Sequence, residues 1–209
     1  MSEDERTKQL HKAYQATDPE QTTEVYNDWA KTYEAHMSEA GYTHPAMVAS
    51  MFSRHVKSGD QPVLDAGAGT GIMGEILTGL SFSNLTGIDA SEQMLARAAS
   101  DGKYQQLKQC YLGEPLEFDD NQFAVVVSSG VFTQGHAPLS GFDELIRITE
   151  PGGILVFSVS RSYLEGPFQQ KRNELESGGL WRFIDASERY NSAPLADTLI
   201  SQVFVFEVV

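Results

Sequence analysis

The chain of 209 residues contains a single cysteine and few basic side chains, and both scarcities exclude classes of function. Cys110 offers no disulfide within the chain and no multi-cysteine metal site, so we expect no bound metal. The 15 Lys and Arg residues stand against 29 Asp and Glu, a formal net charge of −14. Nucleic-acid phosphates and anionic membrane surfaces both require a basic face. We therefore expect neither nucleic acid nor a membrane as a partner.

Long apolar runs, internal repeats and low-complexity segments are also absent from the sequence. No apolar run approaches the length that spans a bilayer, and the charged start Met1–Arg6 lacks the apolar centre of a secretion signal. The 41% of hydrophobic residues and 10% of aromatic residues make the chain too apolar for disorder. We expect one acidic, soluble domain in the reducing cytoplasm.

Hydrophobic periodicity divides the chain into a helical start and an alternating remainder. The pattern is helical from about Glu3 to Ser58, and residues spaced four apart predict one apolar face, namely Val25, Trp29, Tyr33 and Met37. Further on, we predict strands at 62–65, 84–89, 123–127 and 154–160, and helices at 72–80, 91–100 and 139–149. Ser91 is the predicted N-cap of its helix, and Pro151–Gly153 is predicted to close the helix 139–149. This alternation predicts a parallel sheet covered by helices.

The tail after residue 160 departs from this alternation. We predict a helix at 168–176, a strand at 181–184, a polar loop at 187–194 and a final strand at 201–209 that is rich in Val and Phe. A parallel crossover needs about a dozen residues shaped to cover the sheet, and the tail has little room for them. We therefore predict an antiparallel pair of strands at the edge of a mixed sheet.

A glycine-rich turn, Asp65–Gly71, follows the first predicted strand. Its three glycines allow a tight turn and leave the backbone open to a ligand, in the position where open α/β sheets bind nucleotides. The dinucleotide-binding fingerprint would need a glycine at the position of Ile72. The carboxylate of Asp65 would repel a pyrophosphate at this turn and would hold a cationic group.

A second acid, Asp89, ends the next predicted strand, where a carboxylate can accept hydrogen bonds from both hydroxyls of a ribose. Together with Asp65 it implies a nucleoside that carries a cationic, amino-acid-like arm, and S-adenosyl-L-methionine fits this description. In the alternative interpretation, both acids cap turns and the glycines only close a tight loop. The order and spacing of the two acids favour the ligand.

These residues form a pattern that resembles the class I S-adenosylmethionine-dependent methyltransferases. The matching motifs are Val63–Gly71, Gly87–Ser91 with Met94–Leu95, Leu112–Glu114 followed by Phe123–Val126, and Pro151–Gly153. Nearly the whole chain also resembles the methyltransferase-like proteins of the Williams-Beuren syndrome chromosome region. This second resemblance is carried by Tyr26–Ala30, Tyr33, Gly41–Pro45, Leu112–Leu116 and Ser158–Tyr163.

The resemblance implies a Rossmann-like α/β fold with a mostly parallel, seven-stranded sheet and helices on both faces. The implied strand order is 3-2-1-4-5-7-6, with one antiparallel strand at the C-terminal edge. We expect a single methyltransferase domain over residues 1–209, made of an N-terminal helical lid region 1–58, a cofactor-binding core 59–160, and a C-terminal helix with edge strands 161–209. We expect a monomer or a weak dimer.

The resemblance also implies roles for individual residues. The glycine turn would line the methionine arm and the ribose, with Asp65 near the amino group, and Asp89 would hold the ribose hydroxyls. Ala90 and Met94 would pack on the adenine. The segment Leu112–Glu114 lacks the Gly-Asp pair that is usual in such enzymes, and Glu114 takes the position of the acidic residue. The candidate cofactor-binding residues are Trp29, Tyr33, Asp65, Gly67, Ala68, Gly69, Gly71, Asp89, Ala90, Met94, Leu112, Gly113, Glu114 and Ser128.

An aromatic stripe of Tyr26, Trp29 and Tyr33 has two interpretations. It either packs in an ordinary N-terminal helix or covers the cofactor as a lid, with ring faces that attract a sulfonium cation. The related family has a tyrosine at the position of Tyr33, which favours the lid role there. His136, after the fourth strand, is the one candidate for a general base, and a loop histidine also suits a hydrogen-bonded or surface role.

The implied reaction is methyl transfer from S-adenosylmethionine to a small molecule or a protein side chain, which leaves S-adenosylhomocysteine. The segment Ser128–His136 lacks the Asn/Asp-Pro-Pro-aromatic sequence of enzymes that methylate the amino groups of nucleobases or glutamine. One alternative is a regulatory protein that binds the cofactor without catalysis, since no convincing base is present. Another is a nicotinamide-dependent oxidoreductase, against which Ile72 and Asp65 both argue.

Overall fold

The structure, a computed structural model, describes residues 8–9, 12–13, 16, 18–133, 135–196 and 199–209. Its strands are β1 Val63–Ala66, β2 Leu85–Asp89, β3 Gln106–Gln109, β4 Phe123–Phe132, β5 Thr149–Ser160, β6 Trp181–Ala186, β7 Tyr190–Asn191 and β8 Ile200–Val208. Its helices of known bounds are α1 Pro19–Trp29, α2 Tyr33–Glu39, α3 His44–His55, α4 Ile72–Gly79, α5 Glu92–Ser100, α6 Gly141–Ile148, α7 Arg161–Leu164 and α8 Pro167–Ser177. No helix among these described residues has the length and apolar character needed to cross a membrane.

The strands form one mixed sheet in the order β3-β2-β1-β4-β5-β8-β6, and the short strand β7 pairs with β8 beside this path. Strands β1 to β5 pair in parallel, whereas β8 runs antiparallel to both β5 and β6. The predicted fold class and strand order are confirmed when β7 is set aside. β7 lies inside the predicted polar loop 187–194 and raises the number of strands in the described part of the chain to eight.

The central strands are apolar because helices cover them on both faces of the sheet. All four residues of β1 and the first six residues of β4 are buried. One apolar cluster centres on Phe142, Phe157 and Phe206 from α6, β5 and β8. The second cluster joins Phe52 of α3 to Val125 of β4 and its neighbours. The sheet is therefore fixed between two cores, which holds the carboxyl ends of its strands in place.

The N-terminal region differs from the single helical pattern predicted from about Glu3 to Ser58. From residue 18 onward it contains three helices, because α1 ends at Trp29 and a turn precedes the start of α2 at Tyr33. The apolar residues of this region still pack together, with Trp29 and Met37 buried in one small cluster. Residues 3–7, 10–11, 14–15 and 17 of the predicted helical segment lie outside the described residues.

The prediction that Pro151–Gly153 closes a helix is wrong. Helix α6 already ends at Ile148, and these three residues lie inside β5. The pairing of β4 with β5 shifts register between Phe123 and Val125, opposite this stretch. A β-bulge takes up the extra residues without ending the strand, which explains how a Pro-Gly-Gly sequence stays in the sheet.

Candidate functional site

A cavity of about 310 Å³ lies at the carboxyl ends of β1, β2 and β4. The strand order changes direction at β1, which has β2 on one side and β4 on the other. Such a switch point is where open α/β sheets bind their ligands, and the volume falls in the range of small-molecule sites. The N-terminal helix α1 contributes Thr22, Thr23 and Tyr26 to the wall opposite the sheet.

Asp89, at the end of β2, lines the cavity and is held in place by two backbone amides. Gly69 N–H donates to Oδ2 at 2.9 Å, and Ser91 N–H donates to Oδ1 at 2.8 Å. Burial raises the pKa of Asp89, while these two donors act in the opposite direction. Each carboxylate oxygen keeps a second lone pair, so the side chain can accept two further hydrogen bonds from a ligand.

Asp65, at the end of β1, is 1% exposed and does not line the cavity. Its Oδ2 accepts a hydrogen bond of 2.6 Å from Tyr104 Oη, and its Oδ1 has no partner among the described residues. Burial raises the pKa of Asp65 to about 7, and the hydrogen bond from Tyr104 only partly offsets this effect. A carboxyl group with one unpartnered, buried oxygen is suited to a cationic partner.

Tyr104 is a site residue that the sequence analysis missed. Its hydroxyl donates to Asp65 and accepts a hydrogen bond of 3.0 Å from Gly74 N–H at the start of α4. Burial and the carboxylate of Asp65 raise the pKa of this phenol, so it stays protonated and remains a donor. No sequence pattern links Tyr104 to Asp65, since the two residues lie 39 positions apart.

The aromatic stripe is divided between the cavity and the interior. Tyr26 and Tyr33 line the cavity, with ring centroids 6.1 Å apart. Trp29 is 1% exposed, and its Nε1–H donates to His36 Nδ1 at 2.9 Å. Trp29 therefore supports the two tyrosines from behind, with its ring centroid 5.9 Å from Tyr26 and 5.1 Å from Tyr33.

His136 lies in the loop between β4 and α6 and lines the cavity. Its Nε2 is 2.8 Å from Tyr26 Oη, so the histidine joins this loop to α1. Thr22 Oγ1, one turn earlier on α1, donates to the carbonyl of Gly135. On the opposite rim, Ser91 Oγ donates to Asn27 Oδ1 at 2.7 Å. Helix α1 is thus hydrogen-bonded to both rims of the cavity.

The structure brings nine of the fourteen candidate cofactor residues to the cavity wall: Tyr33, Gly67, Gly69, Asp89, Ala90, Met94, Leu112, Gly113 and Glu114. The other five, Trp29, Asp65, Ala68, Gly71 and Ser128, do not line it. Ser128 is fully buried and donates to the carbonyl of Ala66 at 2.7 Å, a bond that joins β4 to β1.

The cavity also has a wall that the sequence analysis did not assign to a ligand. Tyr42, Ser129, Gly130, Val131 and Pro138 line it, and Cys110 lies next to the segment Leu112–Glu114. A ligand-binding position of Ser129 and Gly130 could have been predicted from the sequence. Both residues lie toward the carboxyl end of β4, and ligands bind at that edge of a parallel sheet. Tyr42 follows α2 and carried no such indication.

The residues present fit S-adenosylmethionine. Asp89 offers two acceptor oxygens for a pair of ribose hydroxyls, and the carboxylate of Asp65, which lies behind the cavity wall, suits a cationic amino group through its charge. A side chain at Gly69 would enter open space, with no atom within 4 Å of its Cβ, so the turn leaves room beside Asp89. Leu112 and Met94 provide apolar walls for a flat base.

The sequence profile of a family described as "Methyltransferase domain" matches residues 64–157 of the chain. This stretch contains β2 to β4, α6 and most of β1 and β5, and thus the cavity's glycine turn and Asp89. The fold, the site and this match support a class I S-adenosylmethionine-dependent methyltransferase, with S-adenosylmethionine as its cofactor.

Among individual proteins, the chain is similar to human methyltransferase-like protein 27. The two sequences are 28% identical over 181 residues, which cover 83% of this chain and 74% of the human protein. The similarity extends beyond the cofactor-binding core, and it confirms the resemblance to a methyltransferase-like protein that the sequence motifs indicated.

Solved structures support the fold. A TehB-like S-adenosylmethionine-dependent methyltransferase from Corynebacterium glutamicum superposes with a TM-score of 0.61 at 18% identity, over 88% of this chain and 98% of that one. An S-adenosylmethionine-dependent methyltransferase from Mesorhizobium loti gives a TM-score of 0.59 at 16% identity, over 76% of this chain and 95% of that one. At this level of identity the likeness establishes the architecture alone.

Substitution by alanine should have contrasting effects at two glycines of the turn. A Cβ at Gly67 would lie 2.2 Å from Val131 Cγ2 at a φ of +86°, whereas one at Gly69, at a φ of +55°, would meet nothing within 4 Å. We expect Gly67→Ala to lower the free energy of unfolding by about 3 kcal/mol, because strain adds to a clash. Gly69→Ala should lower the free energy of unfolding by about 1 kcal/mol, because only the left-handed backbone conformation is unfavourable for alanine there.

Denaturant unfolding without cofactor measures this contrast, and calorimetry with S-adenosylhomocysteine adds a second readout. The methyl group added at position 69 would project into the space beside Asp89, so Gly69→Ala should bind at least about tenfold more weakly despite its stable fold. Equal unfolding free energies for the two variants would contradict the assignment of the clash to Gly67.

Proposed function

We propose that the chain transfers the methyl group of S-adenosylmethionine to a small-molecule or protein acceptor bound in the same cavity. The observation that carries the proposal is the carboxylate of Asp89, held by two amides at the cavity wall beside the glycine turn. A carboxylate fixed in this way favours a pair of neighbouring hydroxyls, as in a ribose.

We propose the following roles for the cofactor-binding residues. Asp65 stabilises the amino group through the charge of its carboxylate behind the cavity wall, and the turn Gly67–Gly71 lies along the methionine arm. Ala90 and Met94 pack on one face of the adenine. The segment Leu112–Glu114 lies at the adenine edge, where the exposed Glu114 supplies a carboxylate or a backbone group for the exocyclic amine.

When bound, S-adenosylmethionine supplies a methyl group already activated by a sulfonium, whose sulfur keeps the electron pair as the methyl passes in line to the acceptor. The chain's task is to align the acceptor and to exclude water. Helix α1 serves the second purpose, because Asn27 and Tyr26 attach it to opposite rims of the cavity. Tyr33 adds an aromatic face on the same side.

An acceptor hydroxyl or amine must also lose a proton, and His136 is the candidate base because its ring lines the cavity. The contact of its Nε2 with Tyr26 Oη supports a second role for His136, as the residue that ties the β4–α6 loop to α1. His136→Gln tests both roles, since glutamine can keep a hydrogen bond to Tyr26 but cannot act as a base at neutral pH.

We further propose that the residues form a single domain, that the protein is a monomer or weak dimer, and that it acts in the cytoplasm. Support for the single domain comes from the continuous sheet, since β8 of the C-terminal segment pairs with β5 of the core. The acidic net charge of −14 supports self-repulsion between copies and argues against nucleic acid as a partner.

The proposed function is tested by incubating the purified chain with a metabolite and peptide extract and isotopically methyl-labelled S-adenosylmethionine. We expect a labelled product by mass spectrometry, together with S-adenosylhomocysteine. Asp89→Asn is the control and should give far less of both at the same concentration of S-adenosylmethionine. A protein that binds S-adenosylmethionine tightly yet labels nothing would support the regulatory alternative, and the absence of binding would contradict both.

Replacing Tyr33 by phenylalanine keeps the ring and should weaken the binding of S-adenosylmethionine about tenfold, because the hydroxyl that covers the cofactor is lost. Tyr33 lines the cavity, whereas Tyr163, whose hydroxyl donates to the carbonyl of Ala137, does not. Tyr163→Phe is therefore the matched control and should bind normally. Isothermal titration calorimetry measures both affinities, and an unchanged affinity of the Tyr33 variant would remove its lid role.

A further inference from the structure

The cavity has two chemically different halves. The half assigned to the cofactor carries the two carboxylates of the lining, Asp89 and Glu114. The other half is lined by Tyr26, Tyr42, Ser129 and His136 together with apolar groups. Among the residues that the structure describes, no lysine or arginine lines either half. An anionic acceptor would therefore lose its hydration without gaining a lysine or arginine of the lining as a partner.

Ser129, in the second half, carries a polar side-chain atom without a hydrogen-bond partner among the described residues. Its Oγ is buried and has no hydrogen-bond partner among the described residues, although the residue lines the cavity. Buried hydroxyls in folded proteins are nearly always satisfied, so an unpartnered one at a cavity wall indicates the place of a ligand's polar atom.

The position of Ser129 is fixed by its neighbours on both sides. Ser128 Oγ donates to the carbonyl of Ala66 at 2.7 Å, and Gly130 N–H donates to Ser158 Oγ at 2.7 Å. A separate pair of contacts holds Tyr42 of the same cavity lining. The ring of Tyr42 packs on the buried His44, and His44 Nδ1 lies 2.7 Å from Tyr190 Oη. Because β4 is hydrogen-bonded on either side of Ser129, the backbone of this residue is held in place at the cavity wall.

We propose that the methyl acceptor is an uncharged molecule with an apolar or aromatic body, and that the Ser129 hydroxyl binds the polar atom that receives the methyl group. The tyrosines supply flat apolar surfaces for the body of the acceptor. A serine hydroxyl both donates and accepts, so it suits a phenol, an alcohol or a neutral amine. This inference rests on the proposed function, and it names the class of acceptor.

The test uses three probes that share a ring and an ethyl group: 4-ethylphenol, 4-ethylaniline and 4-ethylbenzoate. Their affinities for the protein loaded with S-adenosylhomocysteine are measured by ligand-observed NMR titration at pH 8, where an ordinary histidine is neutral. We expect the phenol and the aniline to bind at least about tenfold more tightly than the carboxylate. Equal behaviour of the three probes, including no binding of any, would overturn the inference.

Substitution of the serine provides the second arm. Ser129→Ala should bind 4-ethylphenol about tenfold more weakly and keep its affinity for S-adenosylhomocysteine. It should also keep its melting temperature, because the hydroxyl that it loses has no partner in the folded chain. Ser201→Ala is the matched control, since Ser201 Oγ is likewise buried and unpartnered but lies in β8 away from the cavity lining. It should bind all ligands normally.

The outcomes separate this inference from the proposed function. Failure of the unsubstituted protein to bind S-adenosylhomocysteine would contradict the proposed function itself. Normal binding of S-adenosylhomocysteine, with a carboxylate or phosphate ester as the labelled product from the extract, would leave methyl transfer standing and overturn the uncharged acceptor. An unchanged affinity of Ser129→Ala for 4-ethylphenol would remove Ser129 from the acceptor site.

Discussion

Replacing Asp89 by asparagine should weaken the binding of S-adenosylmethionine about 100-fold. The carboxylate accepts hydrogen bonds from Gly69 N–H and Ser91 N–H and keeps two lone pairs for the ligand. An asparagine has one acceptor oxygen, so its amide nitrogen would face one of these N–H groups or a ribose hydroxyl. Two charge-assisted hydrogen bonds are worth about 3 kcal/mol together, which corresponds to this loss of affinity.

Isothermal titration calorimetry with S-adenosylmethionine and S-adenosylhomocysteine measures this effect. Asp119→Asn, at an exposed acid outside the cavity lining, makes the same change of charge and should bind as the unsubstituted chain does. If both variants lost affinity equally, a general effect of charge would explain the result. If neither lost affinity, the ribose site would have to be sought elsewhere in the cavity.

Asp65 should give the folded chain an unusual dependence of stability on pH. Burial raises its pKa from 3.8 to about 7, so between these values the folded state holds a proton that the unfolded state has released. The contribution of Asp65 to the free energy of unfolding is thus full below pH 4, falls as the pH rises, and is lost above pH 7. A shift of this size corresponds to about 4 kcal/mol.

Asp65→Asn should abolish this dependence, because the amide has no proton to lose and can still accept the hydrogen bond from Tyr104. We expect the variant to be more stable than the unsubstituted chain by about 3 to 4 kcal/mol at pH 8, and nearly equal to it at pH 4. Urea unfolding of the ligand-free proteins across this range measures the difference. Parallel pH profiles of the two proteins would contradict the raised pKa of Asp65.

The same group should couple cofactor binding to pH. A cationic amino group beside Asp65 stabilises the carboxylate, so binding releases a proton below pH 7 and the affinity rises with pH up to that value. Calorimetry in two buffers of different ionisation enthalpy counts the released protons. Asp65→Asn should bind more weakly above pH 7 and release none. Proton release by the variant would assign the coupling to another residue.

The parts of the fold that the sequence predicted are those decided by burial. β1 and β4 are continuous apolar runs because both of their faces are covered. This pattern does not depend on which side chains contact each other. The N-cap of α5 was equally predictable, since Ser91 Oγ accepts from Met94 N–H three residues later, a local interaction.

The errors arise where tertiary contacts override local preference. The break between α1 and α2 contains no glycine or proline, and the sequence 30–32 gave no indication of it. Pro151–Gly153 has the composition of a helix stop but lies in β5, where a bulge accommodates it.

The candidate site was predictable in part for the same reason. The glycine turn and Asp89 follow directly from strand ends, so their proximity was expected from topology alone. The unpartnered hydroxyl of Ser129 and the bond between Tyr104 and Asp65 depend on atomic contacts between distant segments. A sequence pattern specifies which residues reach an edge of a sheet, and it does not specify which of their polar atoms remain without a partner.

The position of β8 between β5 and β6 has a consequence for how the chain is made. β6 is synthesised before β8, yet within the described sheet β8 is the strand that joins it to β5. A nascent chain that ends before Ile200 therefore has β6 without a place in the sheet and β5 with an open edge, which is a template for association. Completion of the sheet waits for the residues up to Val208, so the domain closes only when these have left the ribosome.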